Sequence, residues 1–314
     1  MIPALVLTAG LATRLRPLSL VRAKAALPVA GEPLACRILR SLAAAGVTDA
    51  VLNLHHLPHT LTSLIGDGTG AGLRVRYSWE VPVLGSAGGP RRAIPLLASP
   101  RFLIVNGDTL TSAAIPALIE EHARSGALVT LAVVPNTEPD KYSGLAADAG
   151  GNVTGIVGRG SDQPSFHFIG LQVAEAAAFA SVPADTPYES VGALYPSLIA
   201  ARKGSVRVHV TRAEFFDIGT PADYLETATR LAAREDRPLA AGARSRVDPT
   251  ARLDGTILWD DVVVEAGVLL RQCVVTDGVR VPADTSWHGV TMRVAQGDLA
   301  PGERRINGLA IASL

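Results

Sequence analysis

The sequence contains only two cysteines among its 314 residues, Cys36 and Cys273. One lies in a helical pattern and the other far away in a strand pattern, so we expect two buried thiols and no disulfide. Aromatic residues make up only 4% of the chain, and the formal net charge is zero. A nucleic-acid-binding surface normally carries a basic excess, so we expect no nucleic-acid partner.

Long hydrophobic runs are also absent. No apolar stretch approaches the roughly 18 residues that a membrane-spanning helix needs. The first ten residues, MIPALVLTAG, lack the charged start and the long apolar segment of a signal peptide. We therefore expect no membrane partner and a cytoplasmic location. Apolar residues nevertheless form 48% of the chain, which is enough for a large core.

Short apolar runs alternate with helical patterns through the first two thirds of the chain. The runs ALVLT, AVLNL, LRVRYSWE and FLIVNGD are separated by helical patterns near residues 33–45, 59–65 and 88–97. This alternation predicts an α/β fold, with a Rossmann-like, mixed and mostly parallel sheet that has helices on both faces. Such sheets bind ligands at the carboxyl ends of their strands, where LTAG and VNGD lie.

The pattern changes after a polar, proline-containing segment, REDRPLAAGARS, which indicates a linker. Between Val247 and Val281 apolar residues recur about every six positions, a period typical of a parallel β-helix with a few coils. We therefore divide the chain into a catalytic domain of residues 1–236 and a short β-helix domain of residues 237–314. The apolar coil faces are expected to pack on the larger domain or to form a homodimer.

A loop of small residues follows the first strand, and three arginines and a lysine lie between residues 14 and 24. Cationic side chains beside such a loop predict a polyanionic small molecule, and a triphosphate is the first candidate. The loop lacks the Gly-Lys-Ser/Thr ending of a Walker A motif and the G-x-G-x-x-G spacing of dinucleotide-binding folds. Alone it fits an ordinary strand-to-helix connection with solvated arginines equally well.

Six motifs in order resemble the sugar-1-phosphate nucleotidylyltransferase family. They are TRLRPL at 13–18 with AK at 23–24 and PVAGEP at 28–33, E…LGSAGG at 80–89, VNGD at 105–108, YSG at 142–144, FIGL at 168–171 and FDIGTP at 216–221. The tail segment ILWDDVVV is similar to the mannose-1-phosphate guanylyltransferase branch. The resemblance implies a left-handed β-helix, and an enzyme that transfers a nucleotidyl group from a nucleoside triphosphate to a sugar 1-phosphate and releases pyrophosphate.

This reaction brings two anions together, so catalysis is mostly positioning and electrostatics. By resemblance, Arg14 neutralises the triphosphate and Lys24 lies between the two reacting phosphates. Mg²⁺ needs hard oxygen ligands, for which Asp108 and Asp217 are the candidate carboxylates. A helix cap for Asp108 and a turn former for Asp217 are the competing interpretations. The HHLPH stretch at 55–59 fits no zinc spacing, and we expect one packed histidine there.

The nucleotide and the sugar phosphate are expected to contact different parts of the chain. Nucleotide contacts are predicted for Leu7, Ala9, Gly10, Leu11, Ala12, Thr13, Arg14, Glu80, Gly85, Ser86, Ala87, Asn106 and Gly107. Sugar-phosphate contacts are predicted for Lys24, Gly144, Arg159, Phe168 and Gly170. The acceptor oxygens of Glu80 suit the two adjacent donors of guanine, or else Glu80 holds its loop. Arg16 and Arg22 are weaker candidates for substrate contacts, and we expect them to be solvated or to steer phosphate.

Three positions depart from the family pattern. Ala12 replaces a glycine, so the backbone either keeps a negative φ there or carries strain. Ala23 replaces a proline, and Gly158-Arg159 replaces a Glu-Lys pair. The second replacement leaves the identity of the sugar undetermined. GTP with mannose 1-phosphate or a related manno-configured sugar is the leading interpretation. The alternatives are a uridylyl- or thymidylyltransferase acting on glucose or N-acetylmuramate 1-phosphate, and a non-catalytic paralogue that binds a nucleotide sugar and regulates a partner.

Overall fold

A computed structural model describes residues 2–239 and 242–314. The chain forms two compact units, and each unit combines segments that are not contiguous in the sequence. Unit 1 contains the described residues up to Gly10 together with 36–58 and 65–216, and unit 2 contains 11–35, 59–64 and the described residues from Asp217 onwards. The boundary after residue 236 stays a prediction. The phosphate-loop segment 11–35 therefore belongs to the same unit as the C-terminal tail.

The described residues form six α-helices: α1 (Leu34–Ala44), α2 (Pro58–Ile65), α3 (Gly85–Leu97), α4 (Ile115–Ser125), α5 (Tyr195–Ala201) and α6 (Pro221–Arg234). The first three overlap the helical patterns near residues 33–45, 59–65 and 88–97, whereas α4 was not predicted. Helix α4 ends at Gly126, whose φ of 63° is the left-handed conformation that glycine adopts without a steric penalty. Helix α6 begins with a capping box, in which Thr220 and Asp223 bond each other's backbone N–H groups, and Pro221 occupies its first turn. No helix of the described residues is long and apolar enough to cross a membrane.

In the part of the chain that the structure describes, thirteen strands precede the tail: β1 (Ala4–Leu7), β2 (Pro28–Val29), β3 (Glu32–Pro33), β4 (Asp49–Leu54), β5 (Arg74–Trp79), β6 (Arg101–Asn106), β7 (Thr109–Thr111), β8 (Val129–Pro135), β9 (Gly144–Ala147), β10 (Val153–Val157), β11 (Phe166–Glu175), β12 (Val206–Val210) and β13 (Phe215–Asp217). The main sheet has the order β10-β9-β11-β6-β1-β4-β5, with β8 beside β11 and β12 beside β8. Strands β6, β1, β4 and β5 are mutually parallel, whereas β11 is antiparallel to its neighbours. The mixed sheet confirms the predicted α/β class.

The core of unit 1 comes from the apolar runs that predicted its strands. Leu5, Phe102, Ile104 and Leu131 are at most 1% exposed, and the ring of Phe179 stacks on that of Phe102 with centroids 5.9 Å apart. Near-continuous apolar strands are expected when both faces of a sheet are covered. Both cysteines lie in the described part of the chain, and neither forms a disulfide. Cys273 is buried, as predicted, whereas Cys36 is only half-buried.

Residues 242–314 of the tail contain eleven short strands: β14 (Arg246–Val247), β15 (Arg252–Asp254), β16 (Ile257–Leu258), β17 (Val263–Val264), β18 (Leu269–Arg271), β19 (Val274–Val275), β20 (Arg280–Val281), β21 (Ser286–His288), β22 (Val290–Val294), β23 (Arg304–Ile306) and β24 (Leu309–Ser313). Strands β14, β17 and β20 stack in parallel, as do β15, β18 and β21, and β16, β19 and β22. This three-sided stacking confirms the predicted parallel β-helix; its handedness stays an expectation from the resemblance.

Successive coils of the β-helix repeat every 17 residues, as the bond from Asp260 N to Asp277 Oδ1 illustrates. Three hexapeptides would give about 18 residues, which explains the imperfect period of the sequence. The coils enclose a core of their own that includes Val264, Leu270, Val281 and Met292, all at most 2% exposed. An antiparallel pair of β22 with β24 follows the last coil.

Candidate active site

Three parallel strands of unit 1 end together at one edge of the sheet. Leu7, the last residue of β1, pairs with Asn53 of β4 on one side and with Asn106 of β6 on the other. The residues that follow these strands therefore lie side by side, including Ala9-Gly10 and Gly107-Asp108. The edge is the place that the strand pattern predicted for ligands.

Gly107 is required by this close approach of β1 and β6. Its N–H donates to Leu7 O at 2.9 Å, and a Cβ at this position would lie 2.5 Å from the same oxygen. Any larger residue must therefore push the strand ends apart. Gly107 thus fixes the course of the chain into Asp108, where the candidate metal ligand stands.

A chain of buried hydrogen bonds links the ends of β1, β4 and β5. Thr8 N donates to Asn53 Oδ1 at 2.6 Å, and Asn53 Nδ2 donates to Glu80 Oε1 at 2.7 Å. The second carboxylate oxygen of Glu80 accepts from Leu84 N at 2.8 Å. Each partner of Glu80 is a protein group, and Glu80 is only 1% exposed.

This geometry favours the loop-holding interpretation of Glu80 over the base-reading one. A carboxylate that is buried and already accepts two hydrogen bonds from the protein has no free path to a base. It fixes Leu84, the residue that precedes α3, which explains why the helix starts at Gly85 and not near Gly88. A Cβ at Gly89 would lie 2.6 Å from Glu80 Oε1, so α3 needs glycine there.

The start of α3 is held by a segment that the sequence analysis missed. Tyr188 O accepts from Ala87 N at 2.9 Å, and the Ser86 hydroxyl donates to Glu189 Oε2 at 2.7 Å. Gly85 has a φ of 75°, and a Cβ there would lie 2.6 Å from Glu189 Oε1. The predicted nucleotide contacts Gly85, Ser86 and Ala87 thus lie in one helix start, where Tyr188 and Glu189 accept hydrogen bonds from Ala87 N and the Ser86 hydroxyl. No spacing in the sequence indicated this.

The predicted sugar residues of unit 1 are spread along β9 and β11. Gly170 approaches the end of β6, because a Cβ there would lie 3.0 Å from Asn106 Cβ, and its φ is 76°. Gly144 begins β9, and Phe168 pairs with Val133 within β11. Arg159 is exposed in the turn after β10. The structure thus brings Gly170 to the strand edge, whereas it describes no contact of Arg159 with the other predicted residues.

In unit 2, the predicted phosphate loop has a strained backbone at Ala12. The sequence had left either a negative φ or strain open at this residue. Ala12 has φ 47° and ψ 48°, a left-handed conformation that costs a residue with a Cβ about 1–2 kcal/mol. Its carbonyl accepts from Leu15 N at 3.0 Å and from the Ser19 hydroxyl at 2.9 Å. These bonds hold Leu11, Ala12 and Thr13 in a tight turn that leads into Arg14.

Arg14 lies beside a second turn of unit 2, Asp217-Ile218-Gly219-Thr220. Arg14 is exposed, and a Cβ at Gly219 would lie 3.4 Å from its Nη1 atom. Asp223 Oδ2 accepts from Thr220 N at 2.9 Å and so shapes the same turn. The predicted triphosphate cation and the turn of the predicted metal ligand therefore belong to one local structure.

The two candidate metal ligands belong to different units. Asp108 is in unit 1 and Asp217 in unit 2. Within unit 1, Ser112 and Glu214 exchange hydrogen bonds of 3.0 Å, so the chain leading away from Asp108 runs beside the chain leading towards Asp217. Carboxylate oxygens suit Mg²⁺ chemically. Among the described residues no group of three or more His, Cys, Asp or Glu side chains could hold a metal ion.

One histidine of the HHLPH stretch packs at the end of a strand, as predicted. His55 Nδ1 lies 2.8 Å from Glu80 O, and the ring is half-buried. This contact adds to the bonds that hold the Glu80 segment. The stretch therefore has a structural role in unit 1.

Arg22 differs from the expectation of a solvated or phosphate-steering side chain. It is 11% exposed, its Nε donates to Asp277 Oδ2 at 2.7 Å, and its Nη2 donates to Asp277 Oδ1 at 2.6 Å and to Asp260 Oδ2 at 2.7 Å. Its Cζ lies 5.2 Å from the Trp259 ring centroid. Burial lowers the pKa of Arg22, but the bonds and charges of Asp277 and Asp260 outweigh burial and raise it. The sequence analysis missed these partners, which lie 238 and 255 residues further along the chain.

Residues 3–234 match the nucleotidyl transferase family. The chain belongs to this family. It is therefore a sugar-1-phosphate nucleotidylyltransferase, a transferase of nucleotide-sugar biosynthesis, in agreement with the motifs that carried the resemblance.

Two relatives of this nucleotidyl transferase differ in how much of the chain they match. The mannose-1-phosphate guanylyltransferase of Mycobacterium tuberculosis is 27% identical over 299 residues, which are 86% of this chain and 83% of the relative. The N-acetylmuramate alpha-1-phosphate uridylyltransferase of Neisseria meningitidis is 35% identical over 193 residues, which are 57% of this chain and 82% of the relative. The longer match extends into the tail.

A solved structure has the same fold. The structure of HddC from Yersinia pseudotuberculosis complexed with GMP-PN superimposes with a TM-score of 0.65 at 22% identity and covers 74% of this chain and all of that one. At this identity the likeness establishes the fold of the nucleotidyl transferase.

Proposed function

We propose that this nucleotidyl transferase uses GTP and mannose 1-phosphate, or a related manno-configured sugar 1-phosphate, to form the GDP-sugar and pyrophosphate. The observation that carries the proposal is the match to a mannose-1-phosphate guanylyltransferase over 86% of the chain, which extends past the family domain into the tail. Glu80 no longer supports guanine, because its oxygens already accept bonds from Asn53 and Leu84.

In the proposed mechanism the protein supplies position and charge, and no covalent intermediate with the chain is needed. The N–H groups of residues 10–13 face the triphosphate, and the exposed guanidinium of Arg14 neutralises its β- and γ-phosphates. Lys24 places its ammonium between the sugar phosphate and the α-phosphate. As pyrophosphate leaves, negative charge grows on it, and these fixed cations stabilise that charge more than the ground state.

Mg²⁺ is the proposed cofactor, with Asp108 and Asp217 as the carboxylates that would hold it. When bound, it would supply positive charge to the phosphates of both substrates. Asp108 lies two residues after the end of β6, and Asp217 is the last residue of β13, so each carboxylate stands next to regular backbone. A homodimer and a cytoplasmic location remain proposals from the sequence.

A second candidate is a uridylyltransferase for N-acetylmuramate 1-phosphate or glucose 1-phosphate. It is favoured by the 35% identity to the N-acetylmuramate alpha-1-phosphate uridylyltransferase, which exceeds the identity to the guanylyltransferase over a shorter segment. The two candidates share the reaction and differ in both substrates.

The test is pyrophosphate release with Mg²⁺ across five nucleoside triphosphates, including GTP, UTP and dTTP, and a panel of 1-phosphates of mannose, a heptose, glucose, N-acetylglucosamine and N-acetylmuramate. We expect the highest kcat/KM for GTP with a manno-configured sugar. A maximum at UTP with N-acetylmuramate or glucose supports the second candidate. Silence in every combination, with nucleotide-sugar binding retained in calorimetry, contradicts both and supports the non-catalytic paralogue.

A further inference from the structure

Two anchors in unit 2 enclose the short turn that carries Lys24. On one side Arg22 is bound by Asp277 and Asp260 of the tail. On the other side Pro28 O accepts from the hydroxyl of Tyr224 at 2.6 Å, and the same hydroxyl accepts from Trp259 Nε1 at 3.0 Å. Both anchors therefore lead to the β-helix.

We propose that the C-terminal β-helix is a positioning element for Lys24, and that Arg22 is the residue through which it acts. The inference rests on the proposed role of Lys24 in the reaction. Arg22 itself is a positioning residue, because its guanidinium is committed to two carboxylates of the tail and is 11% exposed.

The geometry makes this connection short and stiff. Lys24 is two residues beyond Arg22 and begins a 3-10 turn, Lys24–Ala26, in which Ala26 N donates to Ala23 O at 2.8 Å. A backbone fixed at residues 22 and 28 leaves few conformations for the five residues between them. The ammonium of a lysine is a point charge on a flexible stem, so its backbone must be fixed for the charge to be fixed.

The tail side of the tether is equally well ordered. Trp259 is fully buried, and Asp277 Oδ1 also accepts from Asp260 N at 3.0 Å, which links two successive coils. Asp260 Oδ1 accepts from Ala243 N at 2.8 Å. The carboxylates that hold Arg22 are thus themselves held by the coil repeat, so the repeat defines the position of the guanidinium.

A plain stabilising ion pair is the competing explanation, and the tail offers a matched control. Arg244 makes a similar two-bonded pair with Asp261, with Nε and Nη2 at 2.7 and 2.6 Å from the two carboxylate oxygens. This pair is exposed and stays within the tail. Removing Arg244 deletes the same chemistry without touching the segment 22–28.

The first measurement is amide hydrogen exchange of the full-length protein for wild type, Arg22→Ala, Asp277→Asn and Arg244→Ala. We expect the amides of residues 23–27 to exchange at least tenfold faster in Arg22→Ala and faster in Asp277→Asn, and at the wild-type rate in Arg244→Ala. Unchanged exchange in Arg22→Ala, or an equal rise in Arg244→Ala, overturns the proposal. If Arg22→Ala does not fold, Arg22→Lys keeps the charge without the planar fork and replaces it in the comparison.

Competitive acetylation of lysines provides a site-specific second readout, because the chain has only Lys24, Lys141 and Lys203. Mass spectrometry of the labelled protein should show a several-fold change in the reactivity of Lys24 in Arg22→Ala, with Lys141 and Lys203 unchanged. A uniform change of all three lysines indicates general unfolding and contradicts a tether specific to Lys24. Neither readout needs turnover, so a failure of the proposed function is distinguishable.

Steady-state kinetics then connects the tether to the reaction. We expect Arg22→Ala to lower kcat at least tenfold with a smaller change in the KM for nucleotide, and Arg244→Ala to leave both unchanged. In a Lys24→Ala background, adding Arg22→Ala should have little further effect on kcat, since both changes act on one group. Additive losses in the double variant would show that Arg22 acts independently of Lys24 and would reject the proposal.

Discussion

Glu80 in unit 1 and Arg22 in unit 2 are both largely buried ions next to predicted substrate residues, and they are held in opposite ways. The carboxylate of Glu80 accepts from two neutral donors that lie 27 and 4 residues away in sequence. The guanidinium of Arg22 is neutralised by two carboxylates 238 and 255 residues away. The first contact is made within one sheet, whereas the second exists only after the tail has folded.

The contrast shows what holds the predicted substrate residues in place within each unit. In unit 1 the parallel strands alone bring the ends of β1, β4 and β6 together, and Glu80 adds order to a loop that the sheet already places. In unit 2 the loop 11–35 has only the short pair of β2 and β3 as regular strand structure, so the tail has to supply the framework. We therefore expect loss of the Glu80 contacts in unit 1 to lower mainly the stability of the fold, and loss of the Arg22 contacts in unit 2 to lower mainly catalysis.

The largest effects should come from removing one reaction group from each unit. Asp108→Ala in unit 1 and Lys24→Ala in unit 2 should each lower kcat by a factor of about 10² or more, because each removes charge stabilisation of the transition state. Thermal unfolding should stay close to wild type. Steady-state measurement of kcat for both variants, in parallel with the control variant Asp162→Ala at an exposed position, would test this expectation. Retained activity in either variant removes that residue from the mechanism.

The variant Glu80→Gln distinguishes a loop-holding role of Glu80 from a role in recognising the nucleotide base. The new amide must direct its NH2 group at either Asn53 Nδ2 or Leu84 N, and both of these are donors. The Asn53 amide cannot flip to offer an acceptor instead, because its Oδ1 accepts from Thr8 N. An unsatisfied buried group of this kind should lower the free energy of unfolding by about 1–3 kcal/mol. Urea titration measures the loss, and the order of preference among nucleotides should not change. A switch of base preference at wild-type stability would restore the base-reading interpretation.

Acid should weaken the two units in different pH ranges. Burial lowers the pKa of His122 in unit 1, against an opposing hydrogen bond to Glu175, and burial likewise lowers that of His167. The unfolded chain then binds protons more readily than the folded one, so stability is full above about pH 6.5 and falls as the pH drops towards the lower folded pKa values. Charge-paired Asp261 and Glu265 in unit 2 have lowered pKa values and lose stabilisation only below about pH 4.

Hydrogen exchange at pH 5.5 and pH 7.5 would measure that difference. Peptides around β8 and α4 should lose protection at the lower pH, while coil peptides of the β-helix keep theirs. His122→Gln should reduce the pH dependence in unit 1. Equal loss of protection in both units, or no change on this substitution, would contradict the assignment to buried histidines.

The smallest expected effect concerns the strained loop of unit 2. Ala12→Gly removes the Cβ from a left-handed residue, and the gain is partly offset by the greater freedom of glycine in the unfolded chain. The free energy of unfolding should rise by about 0.5–1 kcal/mol. Ala23→Gly is the matched control, since its φ of −54° suits alanine and the change should destabilise the protein. A loss of stability in Ala12→Gly would show that the loop carries no relievable strain.

Local patterns were sufficient for many of the strands and helices and for the family. The apolar runs became β1, β4, β5 and β6, the six-residue period became the stacked coils, and the motif order identified the nucleotidyl transferase. The start of α3 was misplaced by three residues, because Glu80 bonds Leu84 and fixes the helix start there. The clamp by Tyr188 and Glu189 on the start of α3 was not predictable, since no periodicity or turn signal marks residues 188–189.

The sequence by itself determined the α/β alternation, the β-helix tail and the reaction class, because these depend on residue periods and on short motifs that act over a few neighbours. Only the tertiary structure decided which of the charged residues near the predicted substrate segments are held by other parts of the protein. Glu80 and Arg22 look like ligand residues in the sequence, yet their partners come from other strands and from the tail. A charge next to a phosphate loop has the same appearance in either role, and only burial and the distant counter-group distinguish them.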